Sequence, residues 1–285
     1  MKLLILENAG SPESELFQSV GQSMGAHVTS VDPGRVNWST DKGATLEGLS
    51  LTSGYDAVVL RTTRRLGVLR EVARQFYGKG KPVFGLDAEH AAYAQDKLSD
   101  LADLRRAGVP IPRTWSGIDE VHSGAVVAKF NRGPEASHEH PSRLLPVPLT
   151  PEALGGLERA TAYYQEFLPA EQDWRILLCE GYALPFVVVR NLPPGDLRPN
   201  TSSGVPLILS GSEVPNAQEL TDLAEVAGAV LGRPCGTVTL RHGADGSAVV
   251  TGVSRTSQLA LGEVTADVVR MYLVHWHQVM LGHPL

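Results

Sequence analysis

Cysteine is nearly absent from this chain: Cys179 and Cys235 are the only two among 285 residues. So few, so far apart, exclude a disulfide framework and a CxxC metal or redox motif, and leave two reduced core thiols as the expectation. Long apolar runs are missing too. No stretch approaches the roughly 20 apolar residues that span a bilayer, and Met1–Leu6 is shorter than a signal peptide's apolar segment, so the chain reads as cytoplasmic. An excess of positive charge is also lacking. The formal net charge of -6 gives no general electrostatic reason to bind nucleic acid. One local basic run, Arg61, Arg64, Arg65, Arg70 and Arg74, reads either as a solvated loop and helix face or as the rim of an anionic substrate site.

Familiar catalytic signatures are absent as well. There is no GxSxG elbow and no HExxH, and the turn Asn8-Ala9-Gly10-Ser11-Pro12 lacks the GxGxxG of a dinucleotide-binding Rossmann unit. Ser137-His138-Glu139-His140 reads as a polar surface loop rather than a metal site, which would need further ligands. His275 and His277 lie on a helix, where neighbours two apart diverge by about 200° and cannot clamp one ion.

The hydrophobic fraction of 42% and charged fraction of 20% are those of an ordinary globular protein, so no low-complexity tail is expected. Apolar periodicity predicts a strand at Lys2–Leu6, a helix over roughly Glu13–Met24 and a strand at His27–Val31. A further strand at Asp56–Arg61, a helix at Leu66–Tyr77 and a short strand at Pro82–Leu86 complete an alternation that implies a mainly parallel sheet. Strands are then expected at Ala125–Phe130, Tyr163–Leu168, Asp173–Cys179 and Tyr182–Arg190, the last two joined by a tight turn at Glu180-Gly181. A helix capped by Asn216 should bury Leu220, Leu223, Ala227, Val230 and Leu231 and end at Gly232. Strands at Gly236–Arg241 and Ser247–Val253, turning at Ala244-Asp245-Gly246, and a helix near Val264–Leu281 finish the chain. Neither an internal repeat nor a linker rich in Gly, Ser or Pro interrupts it.

The run from Asp96 to Trp115 carries the most information. Leu98, Leu101 and Leu104 recur at three-residue steps, Gly108 stops the helix, and Pro110 and Pro112 enforce extended chain. With Gln95-Asp96-Lys97 ahead of it, this helix, turn and strand resembles the segment that introduces ATP-grasp domains. Two further stretches are similar to that superfamily: Val126-Val127-Ala128-Lys129-Phe130, and Tyr163-Tyr164-Gln165-Glu166-Phe167-Leu168, which resembles the hinge strand whose backbone meets adenine. Asp173-Trp174-Arg175-Ile176 resembles the D-x-R segment of the ribosomal-protein-modifying and lysine-biosynthesis ligases. Arg190 and Asn200-Thr201-Ser202-Ser203-Gly204 fall where those ligases place a phosphate-contacting arginine and an N-x-x-x-G stretch.

The resemblance implies an α/β ATP-grasp fold: a pre-ATP-grasp α/β lobe at 1–88, then an ATP-grasp domain at 89–285 with a small lid at about 118–167 and a C-terminal lobe. It implies ATP as cofactor, held by Lys97, Lys129, Glu166, Phe167, Leu168 and Asp173, with Arg175, Arg190 and Asn200 as catalytic residues of a carboxylate–amine ligase acting through an acyl phosphate. The implied partners are a small-molecule or peptide carboxylate and an amine acceptor, with no membrane. A homo-oligomer and a partner ligase both remain open. Two departures stand out. Asn131–Ser137, where a glycine-rich loop belongs, has one glycine and a proline that removes a backbone donor. On the strands expected to carry metal-binding Asp, Glu and Asn, the chain places Val238, Gly252 and Ser254, so no metal ligand is assigned and Mg²⁺ is left open. The alternative reading is therefore a degenerate ATP-grasp protein that binds nucleotide or another ligand as a regulatory or partner subunit.

Overall fold

The computed structural model describes residues 1–8, 10–87, 97–117, 121, 124–130, 143–145, 162–170, 172–191, 207–243, 245–254 and 265–282. The first sheet contains β1 (Lys2–Leu6), β2 (His27–Val31), β6 (Ala57–Leu60) and β7 (Val83–Gly85) in the order β2-β1-β6-β7, all parallel. Leu3 to Leu6 and Ala57 to Leu60 are buried on both faces, as continuous apolar strands of a covered parallel sheet must be. Helix α1 (Pro12–Ser23) follows β1, with Pro12 in its first turn and the Ser11 hydroxyl accepting from the Glu13 amide at 3.4 Å. Beside it lies an antiparallel meander of β3 (Val36–Ser39), β4 (Gly43–Leu46) and β5 (Leu49–Ser50), which the sequence pattern did not predict. A one-turn helix, α2 (Leu51–Gly54), then leads into β6, and α3 (Leu66–Tyr77) joins β6 to β7. Val36, Ala44 and Leu51 pack with Val72, Ala73 and Phe76 of α3, so the meander shields one face of the first sheet.

The arginines of the local basic run do not form a common rim. Arg61 is partly buried, paired with Glu7 at 2.8 Å and Glu13 at 2.6 Å, and its guanidinium lies 4.7 Å from the Phe17 ring centre. Arg65 donates to the Pro33, Gly34 and Val36 carbonyls, while Arg64 faces Asp32 and Arg74 faces Glu71. Most of these charges thus hold loops together.

Helix α4 (Lys97–Arg106) opens the second half and buries Leu101 and Leu104, as its three-residue spacing requires. A second four-stranded sheet is antiparallel: β8 (Thr114–Trp115), β9 (Val126–Phe130), β10 (Arg143–Leu145) and β11 (Ala162–Glu166), in the order β10-β9-β11-β8. The last sheet contains β12 (Gln172–Cys179), β13 (Tyr182–Ala183), β14 (Phe186–Asn191), β15 (Leu207–Ser210), β16 (Thr237–His242) and β17 (Ala248–Ser254). Its order is β15-β14-β12-β16-β17, with β13 on β12. Glu180 and Gly181 both take positive φ, 51° and 94°, so the expected tight turn is present. The single strand expected at Tyr182–Arg190 is divided at Leu184-Pro185, because Pro185 has no N–H to give the ladder.

Helices cover both faces. On one, Trp174, Ile176, Leu178, Val187 and Val189 pack on Leu220, Ala224 and Ala227 of α5 (Ala217–Val230). Asn216 precedes α5 in the left-handed region, φ 57°, and makes no side-chain cap, and Val230 is exposed; both differ from expectation. On the other face, Leu177, Cys179, Phe186 and Val188 join Leu3, Ile5 and Phe17 of the first lobe through α6 (Thr265–Met280). Trp276 stacks between Phe17 and Phe84 at 5.9 Å each. Both cysteines are free and buried, as expected. The Glu180 carboxylate accepts from Cys235 Sγ at 2.8 Å, Gly85 N at 3.1 Å and Trp276 Nε1 at 3.4 Å, which ties this turn to the first lobe and to α6.

Candidate functional site

Side chains alternate along a strand, so Asp173, Arg175, Leu177 and Cys179 share one face of β12. Toward the Cys179 end that face is covered by apolar residues of α6 and the first lobe. Beyond Leu177 it becomes polar. Arg175 and Asp173 follow, and the register sets Arg190 of β14 opposite Asp173 and Thr239 of β16 opposite Arg175. Arg241, two residues past Thr239, forms an ion pair through Nε with Asp173 Oδ1, and its Nη1 donates to the Leu168 carbonyl at 3.2 Å. Arg241 thereby links the floor of this sheet to the segment leaving β11.

The sheet of β8 to β11 contributes from β9 and β11. Tyr163 pairs with Lys129 and Gln165 with Val127, so Lys129 and Gln165 share a face, and the Lys129 ammonium donates to Gln165 Oε1. Burial, with Arg241 and Lys97 nearby, pushes Lys129 down to about 7, against the opposing pull of Asp173. Lys97, the first residue of α4, thus reaches the same field. Burial and the Arg190 guanidinium lower Arg175 to about 10, again opposed by Asp173. Arg190 is lowered by burial and raised by Asp173. Asp173 is itself fully buried, and its Oδ2 has no hydrogen-bond partner among the described residues.

Five expected residues, Lys97, Lys129, Asp173, Arg175 and Arg190, therefore meet in one electrostatic cluster. Glu166 does not join it. Its side chain lies on the opposite face of β11 and holds Arg113 through two bonds, 2.9 and 3.2 Å, a pairing that lowers the carboxyl below the usual range. The Glu166 and Phe167 amides are spent on the Arg113 and Ala125 carbonyls. Phe167 and Leu168 are half-buried beside them. Asn200, the stretch 131–137 and the histidines of 138–140 lie outside the described residues.

Sequence reading missed Arg241 and Gln165. Strand alternation from Thr239 would have pointed Arg241 to the site face, and Gln165 is the inward neighbour of the hinge residue Glu166. It also missed Asp100 of α4, which pairs with buried Arg233 at 2.6 Å, while Arg233 donates to the Val253 carbonyl at 2.6 Å. That bond anchors α4 against β17.

No family model and no curated protein matches the sequence. Solved structures do match. The ATP-grasp ligase PsnB, in complex with minimal precursor, Mg and ADP, aligns with a TM-score of 0.72 at 16% identity, over 95% of this chain and 96% of that one. This chain has the ATP-grasp fold. A RimK-domain ATP-grasp protein from Sphaerobacter thermophilus aligns at 19% identity with a TM-score of 0.62, over 96% and 100% of the two chains. The macrocyclase MdnC from Microcystis aeruginosa, bound with precursor peptide MdnA, gives 16% and 0.64 over the same shares.

The ATP-grasp frame makes the metal question concrete. Val238, expected at the acidic position, is fully buried in the core with Ile176 and Leu240 and points away from the site. The site-facing residue is its neighbour Thr239, which pairs with Gly252, and Ser254 continues that face. Where the sequence reading set Val238, Gly252 and Ser254, the residues facing the site are therefore two neutral hydroxyls and a glycine. A Cβ added at Gly252 would meet nothing within 4 Å, so the glycine there is not imposed by a close contact at that atom. Mg²⁺ is held through carboxylates with phosphates and water. Among the described residues no three His, Cys, Asp or Glu side chains form a metal-binding group. The residues at these positions do not fit a protein-anchored Mg²⁺.

Proposed function

We propose that this chain binds ATP between the lid sheet and the last sheet and acts as an ATP-dependent carboxylate–amine ligase of altered activity. The carrying observation is the gathering of Lys97, Lys129, Arg175, Arg190 and Arg241 about buried Asp173. Bringing like charges into a poorly solvated cleft costs stability, and a polyanion bound there offsets that cost. Lys97 and Lys129 would hold phosphates, and Phe167 and Leu168 would line the adenine. Arg175 and Arg190 would steady the acyl phosphate through their fixed donors, with Asn200 beside them. Complexes of PsnB with minimal precursor and of MdnC with precursor peptide MdnA support a peptide as the carboxylate substrate here.

Thr239, Gly252 and Ser254 favour a second reading, a partner subunit that binds nucleotide without turning it over. ADP release, measured with ATP, Mg²⁺ and mixed peptide carboxylates and amines, separates the two. Acceptor-dependent ADP release supports the ligase; ATP binding with no turnover in any mixture supports the partner subunit.

A further inference from the structure

The residues at the metal-anchoring positions point beyond the reading of the cleft as a nucleotide site, on which the following rests. Thr239 and Ser254 are uncharged and Gly252 carries no side chain, whereas Arg241 stands two residues along the same face of β16. Arg241 is fixed at both ends, by Asp173 Oδ1 and by the Leu168 carbonyl. Lys129 and Lys97 approach from the lid side and from α4, and Arg175 with Arg190 from the floor. A metal-anchoring site has the opposite composition, with carboxylates that hold the cation and repel bare phosphate. Here those positions are neutral, and the floor beside them is basic.

We infer that the cleft takes a nucleoside polyphosphate in its metal-free form, with Arg241 and the surrounding basic side chains meeting the phosphate charge that a divalent cation would otherwise neutralise. Free triphosphate carries more negative charge than its Mg²⁺ complex and matches this cluster better. Guanidinium groups suit that task because they stay charged and offer several fixed donors to phosphate oxygens. Arg241 acts as a binding residue, and its ion pair with Asp173 holds the guanidinium in place before the ligand arrives.

The test is calorimetric titration of ATP into the full chain, once in EDTA and once in excess Mg²⁺. The inference expects affinity in EDTA equal to or higher than in Mg²⁺, and a loss of about tenfold or more in EDTA for Arg241→Met. Arg241→Lys, which keeps the charge against Asp173, should lose less, and thermal melting of both variants reports whether they fold. A triple variant, Thr239→Asp with Gly252→Glu and Ser254→Asn, should reverse the preference so that ATP binds better with Mg²⁺. Binding by the natural chain only when Mg²⁺ is present overturns the inference and leaves the nucleotide reading standing. Binding in neither condition by a folded protein overturns both. Tight EDTA binding that Arg241→Met leaves unchanged, in a variant that melts normally, overturns the role given to Arg241.

Discussion

Lys129 donates to Gln165 from β9 to β11, and burial with Arg241 and Lys97 nearby pushes its ammonium down to about 7, far below the ordinary 10.5. In the unfolded chain this lysine keeps its proton up to the ordinary value, so between about pH 7 and 10.5 the unfolded state binds more protons and stability rises with pH. Below about 7 the penalty is fully present and constant. Lys129→Met should therefore fold more stably than the natural chain near pH 6, with a flatter profile between pH 7 and 10; urea melts across that range check both. The same substitution should weaken ATP binding by about tenfold or more, since a charge-assisted hydrogen bond contributes about 1.5–3 kcal/mol. A bound phosphate raises the lysine's affinity for its proton. ATP binding at pH 8 should accordingly take up a proton, seen as a dependence of the calorimetric heat on the buffer's ionisation enthalpy. Lys97 and Lys129 could be picked out in the sequence as candidates because each sits in a recognisable local frame. Arg241 could not, because its role comes from strand alternation and a partner 68 residues away.

At the scale of elements, periodicity located β1, β2 and α3 at their observed ends, since each is long, apolar on the face it buries and bounded by turn residues. It failed for β3, β4 and β5, where Val36, Ala44 and Leu46 are too sparse to announce strands, and at β14, where Pro185 breaks a run that looks continuous. Which face of β16 meets the cleft was not legible for a related reason. A one-residue slip exchanges the two faces of a strand, and only the pairing of Thr239 with Gly252 shows which face meets the cleft. The anchoring of α4 is a claim about elements and can be tested as one. Asp100→Ala leaves Arg233 buried against the Val253 carbonyl without its carboxylate, and should cost about 3–5 kcal/mol in urea denaturation. Joint replacement by Asp100→Leu and Arg233→Met should cost clearly less, because no buried charge is stranded.

For the whole molecule, one apolar cluster runs from β1 and α1 through α6 to β12, so the first lobe and the last sheet share a core. Trp276 lies at its centre between Phe17 and Phe84, and Trp276→Ala should cost about 3–5 kcal/mol and be felt in both parts together, as one melting transition displaced downward. The fold was legible at this scale because four short segments of sequence each resembled one superfamily in the same order. The chemistry was less so, since it depends on which side chains two separate sheets and one helix bring to one place. Ligand linkage joins the scales: ATP at 100 times its dissociation constant should stabilise the folded chain by about 2.7 kcal/mol and raise its melting temperature. The central claim is that the cluster about Asp173 is a nucleotide site. A crystal structure with a non-hydrolysable ATP analogue tests it most directly. The account predicts phosphates against Lys97, Lys129 and Arg241, with adenine beside Phe167 and Leu168; an analogue bound elsewhere, or a cleft without it at saturating concentration, would contradict the account.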